Sequence, residues 1–136
     1  MGYQADIGKG WWGSLYHEHG RRILGKNKLK EGEYLKPEQW NNYEILAVRH
    51  RIWLAINDKV TVALRDPIGE LEGQISLQIH GGIPQKIIYR NLKLVRDPKV
   101  EMLGMKEAEL NKLLSLAPKG FVTVSYTHLR AHETYP

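Results

Sequence analysis

Residues 73–82 read GQISLQIHGG, and the reading of this stretch decides the fold class. Ile75, Leu77 and Ile79 alternate with Gln74, Ser76, Gln78 and His80, the period of two that belongs to a half-buried β-strand. One face is apolar and belongs to a core; the other is polar and open to chemistry. Gln78 carries an amide that donates and accepts, and His80 gives or takes a proton near neutral pH. Two residues apart on a strand, they are aimed into the same space. Gly81 and Gly82 let the chain turn sharply or a ligand come close.

The same pattern recurs on both sides. Tyr3, Ala5 and Ile7 alternate with Gln4 and Asp6 before Gly8-Lys9-Gly10, and WWGSLY (11–16) reads as a second strand. Residues 17–37 are basic, polar and glycine-punctuated, which predicts a long irregular excursion. WNNYEILAV (40–48) is a strand with Tyr43, Ile45 and Ala47 on one face. A turn at Arg49-His50 leads to RIWLAI (51–56), with Ile52, Leu54 and Ile56 alternating, and Asn57-Asp58 is a tight turn into KVTVAL (59–64). After a break at Asp66-Pro67-Ile68-Gly69 and the 73–82 strand comes KIIYRNLKLV (86–95). Seven short strands separated by turn signals predict an all-β fold, an antiparallel β-sandwich. One short C-terminal helix follows: from Met105 to Leu116, Leu110, Leu113 and Leu114 share an apolar face, Glu107 and Lys112 lie on the solvated side, and Pro118 to Gly120 stop it. Residues 96–101 read as a linker to that helix.

Composition sets bounds on this reading. A chain of 136 residues, 42% hydrophobic and 26% charged, is long enough for one domain with a core. The net charge of +5 is spread among interleaved acids, not gathered in a basic stripe, which argues against nucleic acid as a partner. No run reaches the apolar length of a membrane span. The absence of cysteine excludes disulfides and thiolate metal sites, and MGYQADIG has neither the basic nor the apolar region of a signal peptide.

Both ends read as foreign or interrupted. VSYTHLRAHET (124–134) matches one translated frame of a common transposase sequencing adapter, so residues 124–136, with His128 and His132, are set aside from functional argument. Strand-like sequence begins at Gly2 with no lead-in, as if the chain were a piece of a longer one.

In order and spacing, YQADIG, GWWGSLYHE with a following arginine, WNNYEI, RIWLAIN, GQISLQIHGG and YRNLKL resemble the 3-keto-disaccharide hydrolase domain family over roughly residues 2–95. The resemblance implies a concanavalin A-like jelly roll of two facing sheets, here incomplete at the N-terminus. It implies residues 1–95 as a partial domain and 96–123 as a linker and amphipathic helix that could open a fused neighbouring domain. It also implies a carbohydrate substrate and, as in many relatives, a periplasmic or secreted protein.

The implied reaction is cleavage of glycosides whose sugar bears a ketone at carbon 3. That ketone acidifies the hydrogen on carbon 2, so a base removes it and the glycosidic oxygen leaves from carbon 1; water can then add back. The site needs a base, a proton donor to the departing oxygen, and a cation or hydrogen-bonding group to hold the enolate, a role open to a divalent cation. His80 is the first candidate base or acid, with Gln78 to orient it and Glu18 as a further catalytic group. Gln4, Asp6, Trp12, Tyr16 and Arg90 are the candidate substrate contacts. Asp6 could also serve as a second carboxylate or cation ligand, or simply cap the turn before Gly8. His17 stands where the family usually carries Asp, which puts in doubt any role needing both that acid and Glu18. His17-Glu18-His19 alternate on an extended chain and so point apart, a poor metal triplet. On a strand, neighbouring Trp11 and Trp12 face opposite ways, so one of them could be a sugar platform. The competing reading is a non-catalytic carbohydrate-binding module on the same scaffold. Convergence of His80, Gln78, Asp6 and Glu18 favours the enzyme; solvent-facing tryptophans with no nearby base favour the module.

Overall fold

The computed structural model describes residues 2–119, and the adapter-like tail lies outside them. Two antiparallel hairpin systems account for the sheets. The first sheet has the order β1 (Gly2–Ala5), β2 (Leu15–Glu18), β3 (Arg22–Gly25). The second has the order β4 (Tyr43–Val48), β5 (Arg51–Ile56), β6 (Lys59–Arg65), with the two-residue β7 (Ser115–Leu116) added parallel to β6. Two short helices, α1 (Glu31–Tyr34) and α2 (Glu107–Lys112), complete the elements. The fold is an all-β sandwich with a short helix near its C-terminal end.

The core between the sheets follows from the alternation. Leu15 and Leu24 from the first sheet meet Ile52, Leu54, Val62 and Leu64 from the second, with Tyr3, Ala5 and Tyr43 packed around them. A second core lies on the far side of β5, where Leu46, Trp53 and Ala55 pack against Met102 and Leu110. The Trp53 indole N–H donates to the Leu110 carbonyl at 2.9 Å, and Arg51 Nη1 reaches Glu107 at 2.7 Å and Asn111 at 2.9 Å. β5 is therefore covered on both faces, which is why its residues 52–56 are all buried although the sequence alternates.

Several expectations are corrected. Residues 73–82 and 86–95 are not strands: neither joins a sheet, and Ile75, Leu77 and Ile79 are exposed. Among the described residues, no main-chain hydrogen bond links residues 70–98 to the main chain elsewhere. Alternation describes side chains, whereas a strand also needs a main-chain partner, and this segment finds none there. WWGSLY is a strand only from Leu15, because residues 11–13 form a turn closed by Asp6 N–H to Ser14 O (2.9 Å) and Gly13 N–H to Asp6 O (3.0 Å). The supposed excursion at 17–37 contains β3 and α1. In β4, Tyr43 enters the inter-sheet core, but Ile45 and Ala47 remain exposed. The helix is shorter than its apolar spacing suggests. Leu110 is fully buried and Leu114 partly so, while Leu113 points largely to solvent.

The turns behave as read. Asn57 and Asp58 both take positive φ (46° and 68°), the type I′ signature. Arg49 also takes positive φ, 55°, in the β4–β5 turn.

Candidate functional site

β1 carries two kinds of residue on its two faces. Register pairs Tyr3 with His17 and Ala5 with Leu15 on the core side, and Gln4 with Tyr16 and Gly2 with Glu18 on the outer side. The outer side is the polar one, and Asp6 continues it just beyond the strand.

Asp6 is the chemically distinctive group. It is buried, with 8% exposure, and Gln4 Nε2 donates to its Oδ1 at 2.5 Å. Burial pushes its carboxyl up to about 6; the amide of Gln4 opposes this, the charge of Glu18 adds to it, and Lys26 and His80 pull the other way. A carboxyl near 6 can hand over or accept a proton close to neutrality. Those same interactions place Glu18, Lys26 and His80 within electrostatic range of Asp6.

His80 has a defined tautomer. Its Nδ1 lies 2.8 Å from the Gly81 carbonyl, which can only accept, so Nδ1 carries a proton, and in the neutral ring Nε2 is the nitrogen with the lone pair. Tyr16, at 5% exposure, meets Trp11 edge-on at 6.4 Å. Lys26 covers one face of Trp11, with Nζ 3.9 Å from the ring centroid, and donates to the Gly10 carbonyl. Asn27 beside it donates from its main chain to Ser14 Oγ (2.9 Å) and from its side chain to Trp12 O (2.9 Å). Ser14 thus holds Asp6 on one side and the Lys26–Asn27 pair on the other. Lys26 also borders a groove of about 470 Å³ whose lining includes Leu24, Lys28, Val62, Leu64 and Leu116.

The remaining candidates disperse. Gln78 is exposed and away from this constellation's hydrogen bonds. Trp12 is half-buried in the turn, so the strand alternation invoked for Trp11 and Trp12 does not apply. Arg90 stacks over Trp40 at 3.8 Å from the ring centroid. Of the triplet, His17 is buried on the inner face and points away from Glu18 on the outer face, whereas the exposed His19, at positive φ just past the strand, brings its Nε2 to 3.7 Å from Glu18 Oε1. Among the described residues no group of three or more His, Asp or Glu side chains is gathered to hold a metal ion.

A second polar cluster, unforeseen from the sequence, lies on the core side of the same strands. Arg21 grips Asp66 through two bonds, Nη1 to Oδ1 at 2.7 Å and Nη2 to Oδ2 at 2.5 Å, and the Tyr3 hydroxyl donates to the same carboxylate. Burial alone would raise the Asp66 carboxyl, but Arg21 and Tyr3 hold it below its ordinary value. His17 Nδ1 accepts the Arg21 main-chain N–H at 3.0 Å, so Nε2 is the protonated nitrogen and donates to Glu70 at 3.0 Å. Gly69 is required here, because an added Cβ would collide with the Tyr3 hydroxyl and the Asp66 carboxylate. The cluster fastens residues 66–70 to the first sheet, from which the His80-bearing segment departs.

Fold and outer face together define the class: an all-β sandwich with a buried, near-neutral acid on its outer polar face. The family model of the 3-keto-alpha-glucoside-1,2-lyase-like domain matches residues 1–95, and the chain belongs to that family. Membership ties it to 3-keto-glycoside chemistry. No curated protein matches the chain. No helix among the described residues is long and apolar enough to cross a membrane.

Proposed function

We propose that the protein cleaves 3-keto-glycosides by removing the hydrogen on carbon 2 and expelling the glycosidic oxygen from carbon 1. The observation that supports this reading is Asp6, a buried acid whose carboxyl is raised to about 6, on a face that also carries Gln4 and Glu18, with His80 Nδ1 engaged by the Gly81 carbonyl so that Nε2 is the nitrogen open to substrate. An acid–base elimination requires one group that gives a proton and another that takes one.

In this scheme His80 Nε2 takes the proton from carbon 2. Protonated Asp6 delivers its proton to the departing oxygen, Gln4 fixes the Asp6 carboxyl, and the negative charge of Glu18 helps keep the proton on it. Addition of water to the resulting carbon 1–carbon 2 double bond turns elimination into net hydrolysis. The carbohydrate-binding reading has less support, since cations cover one ring face of both Trp11 and Trp40 and Trp53 is buried.

The test is mass-spectrometric detection of cleavage of a 3-keto-disaccharide by the wild type, His80→Ala and Asp6→Asn. Each substitution is expected to lower kcat by about 10²–10⁴-fold. Cleavage unaffected by both changes refutes the assignment. A folded wild type that binds the sugar without cleaving it supports the binding module instead.

A further inference from the structure

The elimination above leaves one requirement unmet by His80 and Asp6. When carbon 2 loses its proton, the C–H electron pair becomes a carbon 2–carbon 3 double bond and the ketone π pair moves onto oxygen as an enolate. When the glycosidic bond breaks, that pair returns to re-form the ketone, the carbon 1–carbon 2 double bond forms, and the leaving oxygen takes the Asp6 proton. Between these events a full negative charge sits on the carbon 3 oxygen, and a preorganised cation or donor there lowers the barrier.

We propose that Lys26 is a catalytic residue whose ammonium holds the carbon 3 oxygen as it takes up this charge. The inference rests on the function proposed above. Three observations carry it. Lys26 is placed on the Asp6 side of the site by a continuous main-chain and side-chain link, because Asn27 N–H binds Ser14 Oγ and Ser14 O binds Asp6 N–H. Its side chain is held, with Nζ lying 3.9 Å over the Trp11 ring and bonded to Gly10 O. An ammonium carries three donors, so that one bond leaves two for a substrate oxygen. Among the described residues its ammonium forms no direct ion pair with a carboxylate; its contacts are a carbonyl and an aromatic face. By contrast, Arg21 and Lys106 are each committed to an acid.

Two substrates separate this inference from the reading beneath it. The first is a 4-nitrophenyl 3-keto-glucoside, whose cleavage releases a coloured phenolate. The second is a 3-keto sugar with hydrogen in place of the glycosidic oxygen; in D₂O it can form the enolate and exchange its carbon 2 hydrogen, seen by proton NMR, but cannot lose a glycosidic group. The wild type is expected to do both reactions. Lys26→Met is expected to slow both by about 10²–10³-fold through kcat, with KM changed by no more than about threefold, and Lys26→Arg is expected to restore part of the exchange. Near-UV circular dichroism matching the wild type establishes that Lys26→Met is folded. Exchange and cleavage by Lys26→Met at wild-type rates overturn the role of Lys26 and leave the function standing. A folded wild type that neither exchanges nor cleaves overturns the proposed function, and this inference falls with it.

Discussion

Asp6→Asn should make the protein more stable while disabling it, and the gain should depend on pH in a way that only a buried, strained carboxylate explains. The carboxyl moves from 3.8 to about 6 on folding, with burial as the leading cause. An acid whose folded value is raised binds its proton more tightly in the native state. Its ionisation therefore costs stability as pH rises between the two values, and the full cost is present above about 6. At about 1.4 kcal/mol per tenfold change in acid strength, a rise of this size amounts to roughly 3 kcal/mol, as an upper figure. Asparagine keeps the shape and the oxygen that accepts from Gln4 but never ionises. Urea unfolding followed by tryptophan fluorescence should thus show Asp6→Asn more stable than wild type by about 2–3 kcal/mol at pH 8, with the difference shrinking as pH falls through 6 and vanishing near 4. An equal gain at every pH, or a loss at pH 8, would refute the account of Asp6 as an acid held against its own ionisation.

Other outcomes follow from the same structure. Arg21→Met strands the Asp66 carboxylate, 1% exposed as a side chain, without its cation and should destabilise the fold by about 3–5 kcal/mol in urea unfolding. Because pairing holds the Asp66 carboxyl below its ordinary value, that pairing stabilises the fold above the ordinary aspartate range; the cost of Arg21→Met should diminish as the pH is lowered into the strongly acid region. Arg49→Gly relieves a positive φ of 55° in the β4–β5 turn and should stabilise by about 1 kcal/mol, read as a higher urea midpoint with unchanged slope.

Much of the fold was legible because the hairpin β4–β5–β6 is a local structure. Its alternation, its Asn57-Asp58 turn and its strand lengths all sit within 23 residues and agree with one another. What sequence reasoning missed depends on partners far along the chain. Trp53 gives no sign in its own strand that Leu110 will cover it, and β7 is two residues long, formed only because residues 115–116 come to lie beside β6. The 73–82 segment shows the converse. Its pattern is the cleanest in the chain, yet pattern alone supplies no main-chain partner. On the outer face, Gln4 and Asp6 were legible from period-two spacing and Glu18 only from the family resemblance, and register places Gln4 beside Tyr16 and Gly2 beside Glu18. Lys26 was hidden among several lysines in a stretch read as irregular, and no spacing rule marks the one that folds over Trp11.

The two polar clusters share β1, and this gives that four-residue strand a consequence beyond its length. Tyr3, facing inward, is bound to Asp66 and through it to Arg21; Gln4, the next residue and facing outward, is bound to Asp6. A shift of β1 by one residue would exchange these faces, taking the phenol from Asp66 and the amide from Asp6 together. The inner cluster therefore fixes the register on which the outer acid depends, and it also anchors residues 66–70 from which the chain runs to His80. On this reasoning, the inner network supports the proposed chemistry without touching substrate, by setting where the acid is held and where the chain toward His80 begins.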